Sequence, residues 1–333
     1  MPGTPGIGVW RQRVVMSLLL KSIWLLLAGV AFFLLAGLVA VWAPDKSVQE
    51  LSARWAQPPS RFIDVDGVRA HLRDEGPRHD PQPQVLIHGT SDSLHTWDGW
   101  VSVLSSQRRV IRLDLPGFGL TGPNAEHDYS IARYVQFMRA ALQQLGVQRC
   151  ILVGNSLGGH IAWETAYAAP QLVQRLVLVD AAGYAFVPRD VPLGFQLARL
   201  PIARKLMEYV LPRGLVLASV RNVYGDPSKV TPELVDRYYD MTLRAGNRKA
   251  LVLRMDGVLA GNPDHIKSLD LPTLILWGGK DQLIPLPSGE RFARDIRQSR
   301  LVVFDDLGHL PHQEDPQRSV AVLQQFIGWR LGK

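Results

Sequence analysis

From about residue 60 onward, short apolar runs alternate with segments whose apolar positions recur every three or four residues. Val85–Ile87, Val110–Leu113, Ile151–Val153, Leu176–Val179, Leu274–Trp277 and Leu301–Phe304 are the length of buried strands. Arg61 to Val65 and Val68 to Arg73, joined through Asp66-Gly67, predict an opening hairpin, because that dipeptide accepts the positive φ angles of a tight turn. Between strands, Ser130 is placed to cap a helix whose inner face carries Ile131, Tyr134, Val135, Met138, Leu142 and Leu145, and Gly146 stops it. A final helix is expected over Pro316 to Leu331, burying Val320, Leu323, Phe326 and Ile327. Such alternation predicts an α/β fold with a mainly parallel central sheet flanked by helices. One stretch interrupts it. Residues 184–267 hold helical pieces broken by Pro188, Pro192, Pro201, Pro212, Pro227 and Pro232, which predicts a helical cap inserted over one end of the sheet. The core is then expected over 61–183 and 268–333, with 44–60 as a polar linker.

The N-terminus follows a different pattern. After a short basic segment, 1–21, the 22 residues Ser22 to Ala43 carry no charge. At ~1.5 Å rise per residue they make a helix of about 33 Å, long enough for a hydrocarbon core of about 30 Å. The run is apolar all round and exceeds the usual core of a signal peptide. Pro44 also follows the best small-residue cleavage site, so an uncleaved anchor is the favoured reading, with a cleaved signal as its alternative. Arg11, Arg13 and Lys21 precede the span and mixed charge follows it, so the positive-inside rule puts the N-terminus in the cytoplasm. The remainder then lies outside, in the periplasm if the source is bacterial.

Composition narrows the classes. The net charge of +7 is spread thinly over 333 residues, with neither an RNA-binding signature nor a zinc-ligand cluster, so nucleic-acid binding is not expected. The single cysteine, Cys150, opens an apolar run and reads as a buried strand residue.

The chemistry concentrates in Ile151-Leu-Val-Gly-Asn-Ser-Leu-Gly-Gly159. Gly154, Ser156 and Gly158 form G-x-S-x-G between a strand and a helix, with Asn155 beside the serine, as a nucleophile on a sharp turn requires. A serine hydroxyl needs a base, and the base needs an orienting acid, in the chain order Ser, acid, His. Asp281 follows the strand Leu274–Trp277, and His309 follows Leu301–Phe304. His309 is therefore the expected general base and Asp281 its orienting partner. The expected oxyanion hole combines the N–H of Leu157 with that of Thr90, in the loop Ile87-His-Gly-Thr-Ser91. Among competitors, Asp180 ends a strand and is an alternative acid. His312 reads as a surface residue and Asp114 as a loop-fixing acid, while His95 and His160 read as structural, with pocket lining as their alternative.

His88-Gly89, Asp114-Leu-Pro-Gly-Phe-Gly119, Gly154-Asn-Ser-Leu-Gly158, Trp277-Gly-Gly-Lys-Asp281 and Gly308-His-Leu-Pro-His-Gln-Glu-Asp-Pro316 together resemble the α/β-hydrolase superfamily over roughly residues 60 to 331. Two branches look nearest: membrane-anchored monoacylglycerol lipases with related carboxylesterases, and the carbon–carbon bond hydrolases of aromatic degradation. The second branch usually has a glycine-rich loop where this chain has Thr90-Ser-Asp-Ser-Leu-His-Thr96. Ser156 stands where dehalogenases and epoxide hydrolases carry an aspartate nucleophile. The expectation is a membrane-anchored serine hydrolase of carboxylic esters, of monoacylglycerol or medium-chain type, acting on a small-molecule ester or lipid without cofactor or metal. A C–C bond hydrolase and a catalytically silent binding fold are the rivals, and the sequence leaves the oligomeric state open. The cap's excess of basic side chains and its apolar clusters, such as Val187, Val191, Leu193 and Phe195, suit an interfacial surface or simple packing on the sheet.

Overall fold

The computed structural model describes residues 7–257 and 261–328. The predicted extension of the last helix to Leu331, cap positions 258–260, residues 1–6 and the Arg11 side chain lie outside the described residues.

Eight strands form one sheet: β1 (Arg61–Val65), β2 (Val68–Glu75), β3 (Gln84–Ile87), β4 (Val110–Leu113), β5 (Cys150–Asn155), β6 (Val173–Val179), β7 (Thr273–Gly278) and β8 (Ser299–Phe304). Their order is β1-β2-β4-β3-β5-β6-β7-β8. Only the β1–β2 and β2–β4 pairs are antiparallel. Asp66 and Gly67 take φ of 48° and 77°, as the hairpin requires. β3, β4 and β5 are wholly buried apolar runs apart from Gln84, Arg112 and Asn155, because helices cover both faces.

An N-terminal helix, α1 (Ile7–Val41), precedes α2 (Val48–Trp55), and α3 (Asp98–Leu104), α4 (Ile131–Gln144) and α5 (Leu157–Ala168) follow the early strands. Ser130 caps α4 by accepting the Arg133 N–H, and Phe137 and Ala141 join the predicted buried face. Between β6 and β7 lie α6 (Leu193–Ala198), α7 (Pro201–Leu206), α8 (Arg213–Asn222), α9 (Pro232–Leu243), α10 (Asn247–Met255) and α11 (Pro263–Lys267). The chain ends with α12 (Pro287–Asp295), α13 (Pro311–Glu314) and α14 (Pro316–Gly328). One core cluster packs α4, α5 and Phe292 of α12 on one sheet face, and another packs Trp97, Trp100 and α14 on the other. Cys150 is fully buried, and burial pushes its thiol up to about 12.

Two expectations need correction. Residues 44–60 are more than a linker: Ser47 caps α2, whose Leu51 and Trp55 pack on Leu120 and on Met241 of the cap. Trp55 Nε1 donates to Asp240 at 2.8 Å and Lys46 Nζ to the same carboxylate at 2.9 Å, so this segment straps cap to core. His312 is fully buried rather than on the surface, its ring centroid 4.1 Å from that of Trp97 at a tilt of 31°, and 3.0 Å from Thr96 Oγ1. A single turn of helix at Pro311 folds it inward, and burial keeps its imidazole well below the ordinary range. Of the described helices, α1 is long and apolar enough to cross a membrane.

Candidate active site

Strand register decides what can meet. Ile87 pairs with Gly154, Asn155 with Val179, Val179 with Leu276, and Gly278 with Phe304. The loops after β3, β5, β6, β7 and β8 therefore leave one edge of the sheet together. Chain order reverses between β3 and β5, the position where such sheets open a crevice.

Ser156 sits at φ 54°, ψ −116°, a backbone that L residues seldom adopt. Neighbouring bonds hold it there. Its N–H donates to Val179 O at 3.1 Å, and its carbonyl accepts from His160 N–H at 3.1 Å and Ala182 N–H at 3.0 Å. A side chain at Gly154 would meet the Gly158 carbonyl at 2.1 Å, and one at Gly158 would meet the Ile87 carbonyl at 2.3 Å. Two glycines are thus required for the turn to close against β3. Leu157 opens α5, so its N–H has no acceptor within the helix. Gly89 lies so close that a Cβ there would be 3.1 Å from Ser156 Cβ, which brings the loop carrying Thr90 beside the serine.

His309 Nδ1 lies 2.6 Å from Asp281 Oδ2. Asp281 Oδ1 accepts the N–H groups of Leu283 at 2.8 Å and Ile284 at 3.0 Å, so both carboxylate oxygens are engaged. A proton on Nδ1 leaves the far nitrogen with a free lone pair, the state a general base needs. Asn155 reaches across: its Nδ2 donates to Val179 O and to His309 O, each at 3.1 Å. The histidine loop is fixed from the other side too. His309 N–H donates to Val223 O at 2.8 Å, and the buried carboxylate of Glu314 accepts from Gly308, Gly225 and Asp226 N–H at 2.8–2.9 Å.

Asp180 enters this cluster as a third acid. It is fully buried, with φ 43°, and its Oδ1 accepts the Gly278 N–H at 2.9 Å. Ligand-type atoms of Asp180, Asp281 and His309 all lie within 4.8 Å of one another. Burial, reinforced by the Asp281 charge, raises the Asp180 carboxyl well above the usual carboxylate range. Closely spaced acids resist ionising together, so the two carboxyls push in the same direction as burial. These three residues have metal-ligating side chains, but the Asp281 lone pairs already serve His309 and two N–H groups.

Sequence reasoning missed the positioning part of Glu314, and Asn155 was read only as a member of the turn. Glu314 lies within the recognised Gly308–Pro316 motif, yet nothing local announces that its acceptors reach a cap segment about ninety residues earlier. His95 and His160 are held by neighbouring groups. His95 Nε2 donates to Trp55 O at 2.9 Å, and His160 stacks on Trp163 at 4.8 Å. Burial lowers each imidazole to about 3. Asp114 accepts from Leu94 and Leu120 N–H at 2.7 Å and pairs with His71, fixing its loop. Burial alone would raise that carboxyl, but His71 and neighbouring histidines hold it well below its ordinary range. Beside Ser91 and Asp92, Phe118, Gly119 and the cap residues Met241, Thr242, Asn247 and Leu251 enclose a cavity of about 10 Å³.

Known proteins resemble this chain in sequence and fold. The 2-hydroxy-6-oxo-2,4-heptadienoate hydrolase of Pseudomonas putida is 31% identical over 281 residues, covering 80% of this chain and 95% of that protein. The structure of a meta-cleavage product hydrolase from Pseudomonas fluorescens is 29% identical, with a TM-score of 0.70 over 80% of this chain and 97% of its own. A bacterial membrane phospholipase A, 24% identical, shares the fold with a TM-score of 0.66 over 95% of this chain and 98% of its own. A profile of the alpha/beta hydrolase fold matches residues 83–316, and with it the chain belongs to the α/β-hydrolase fold family.

Proposed function

We propose that this protein is a membrane-tethered serine hydrolase that cleaves carboxylic esters through an acyl-enzyme on Ser156. The observation that carries the reading is the His309–Asp281 pair, 2.6 Å apart, tied to the serine turn through Asn155. In the reaction, Ser156 Oγ attacks the ester carbonyl as the free nitrogen of His309 takes its proton. The N–H groups of Leu157 and Thr90 stabilise the oxyanion, each such donor contributing roughly 3 kcal/mol. His309 returns the proton to the departing alcohol, water then attacks the acyl-serine with the same base, and the carboxylic acid leaves. The N-terminal helix supports tethering, with its N-terminus in the cytoplasm and the catalytic domain outside. That address suits an amphiphilic ester, of monoacylglycerol or medium-chain type. Fluorophosphonate labelling, with turnover of p-nitrophenyl and glyceryl esters of graded chain length, tests the reading. A folded protein that neither labels at Ser156 nor cleaves any ester overturns it, and would favour a silent binding fold.

A second reading is favoured by the 31% identity to a dienoate hydrolase. In it the same serine and histidine cleave a C–C bond in a ring-fission product. Turnover of a 2-hydroxy-6-oxo-dienoate with no ester activity would put this reading first.

A further inference from the structure

The cap carries an apolar face that the fold does not cover. No residue of α7 is buried. Ile202, Leu206 and Tyr209 stand at positions i, i+4 and i+7, on one side of the helix and the turn that follows it. They are 86%, 51% and 53% exposed. Leu193 and Leu200, on and after α6, extend the exposed apolar surface.

This face begins where α1 ends. Ala43 N–H donates to Tyr209 O at 3.0 Å, and Leu211 N–H donates to Val41 O at 3.1 Å, so the last turn of α1 is laced to the segment after α7. The Trp42 and Tyr209 rings stack at 5.8 Å with 18° between their planes. Tryptophan and tyrosine are the side chains that settle at the headgroup level of a bilayer. The charge agrees: Arg199 and Lys205 are exposed and have no ion pair among the described residues, Arg204 pairs with Asp256, and Glu208 is the one acid between residues 193 and 211. Exposed cations beside an apolar helical face suit an anionic lipid surface.

We propose that the exposed face of α7, with Leu200 and Tyr209, docks into the headgroup–acyl boundary of the same bilayer that α1 enters. The proposal rests on reading α1 as a membrane span. Its geometric basis is that a helix tied by two backbone hydrogen bonds to the end of a span is held at the depth where that span leaves the lipid. The cap, rather than the amino edge of the sheet, then faces the membrane.

The test uses the full chain in phosphatidylethanolamine–phosphatidylglycerol vesicles, with an environment-sensitive fluorophore on single introduced cysteines. Buried Cys150 is shielded from the label. Ile202→Cys probes the cap, Leu27→Cys the span, and Gln143→Cys, exposed near the end of α4 and the start of β5, the opposite side. The expected result is that lipids with shallow quenchers remove about half or more of the Ile202→Cys signal and leave Gln143→Cys untouched. An unquenched Ile202→Cys label beside a Leu27→Cys label quenched by deep lipids overturns the docking while the span stands. Loss of quenching at both sites overturns the docking and the span together. Shielding of the Ile202→Cys label that is unchanged when lipid is replaced by detergent, and that rises with protein concentration, assigns the face to a second copy and also overturns the proposal. As a second readout, the Ile202→Asp/Leu206→Asp variant is expected to lose about tenfold in turnover of a vesicle-borne ester while keeping its rate on a soluble short-chain ester. Equal loss on both substrates counts against docking.

Discussion

The side-chain nitrogen of Asn155 donates to the main-chain oxygen of His309 at 3.1 Å, joining residues 154 positions apart in sequence. The same nitrogen binds Val179 O, so one carboxamide spans the serine turn, the end of β6 and the histidine loop. Asn155→Leu removes both bonds and strips the His309 carbonyl of its donor, while Val179 O keeps only the Ser156 N–H. A stability loss of about 2 kcal/mol is expected. With it should come a fall in kcat of about tenfold or more, because the imidazole loses its fixed position. Denaturant melts with steady-state kinetics check both, and a variant with unchanged kcat removes Asn155 from the positioning scheme.

Ser156 holds a strained backbone at the turn between β5 and α5. Ser156→Ala is expected to end ester turnover and fluorophosphonate labelling with little change in melting temperature. Ser156→Gly should be equally inactive yet more stable by about 1 kcal/mol, since glycine adopts φ near 54° without penalty. Appreciable turnover by the alanine variant would refute the assignment of the nucleophile.

Asp180 and Asp281 can be separated by a double-mutant comparison. In Asp281→Ala the neighbouring charge that adds to the upward push of burial on the Asp180 carboxyl is gone, and Asp180 stands within the same 4.8 Å cluster as His309. Asp281→Ala should therefore retain roughly tenfold more kcat than Asp180→Asn/Asp281→Ala, a difference of about 1.4 kcal/mol. If the single and double variants are equally slow, Asp180 does not substitute for Asp281.

Acid should destabilise the fold before its carboxylates begin to protonate. His95 and His160 are held neutral, each near 3, chiefly by burial. In the unfolded chain they bind protons near ~6.5, so between about 6.5 and 3 the unfolded state carries more protons and stability falls as pH drops. Each contributes up to about 1.4 kcal/mol per pH unit in that window. Buried His312 is lowered as well and adds to this trend, while Asp180, raised by burial and by Asp281, runs the other way, one group against three. Melting temperature should decline from pH 7 to 4.5, and a flat profile would contradict the burial of these imidazoles.

Asp240 tests the strap. Its carboxylate receives Trp55 Nε1 and Lys46 Nζ from the segment ahead of the core. Asp240→Ala should cost about 2 kcal/mol and expose 44–60 to limited proteolysis. Unaltered proteolysis would mean that the packing of Leu51 and Trp55, with the Asp45 and Lys46 backbone and ion-pair contacts to the cap, holds the segment without Asp240.

Periodicity alone determined the layers of this protein. Apolar runs in β3, β5, β6 and β7 report burial on both faces, and the one-sided face of α4 reports its contact with the sheet. Gly154, Ser156 and Gly158 were legible because a sharp turn imposes local steric demands, and Asp281 and His309 because each follows a strand in a recognisable order. Only the tertiary structure decided the rest. Whether His312 faced water, whether 44–60 hung free, what Glu314 and Asn155 tie together, and how Asp180 comes to lie against Asp281 all depend on groups distant in sequence. A local pattern records which side of a strand or helix avoids water, but a hydrogen bond between buried groups depends on where the backbones cross, and that is fixed when the layers pack.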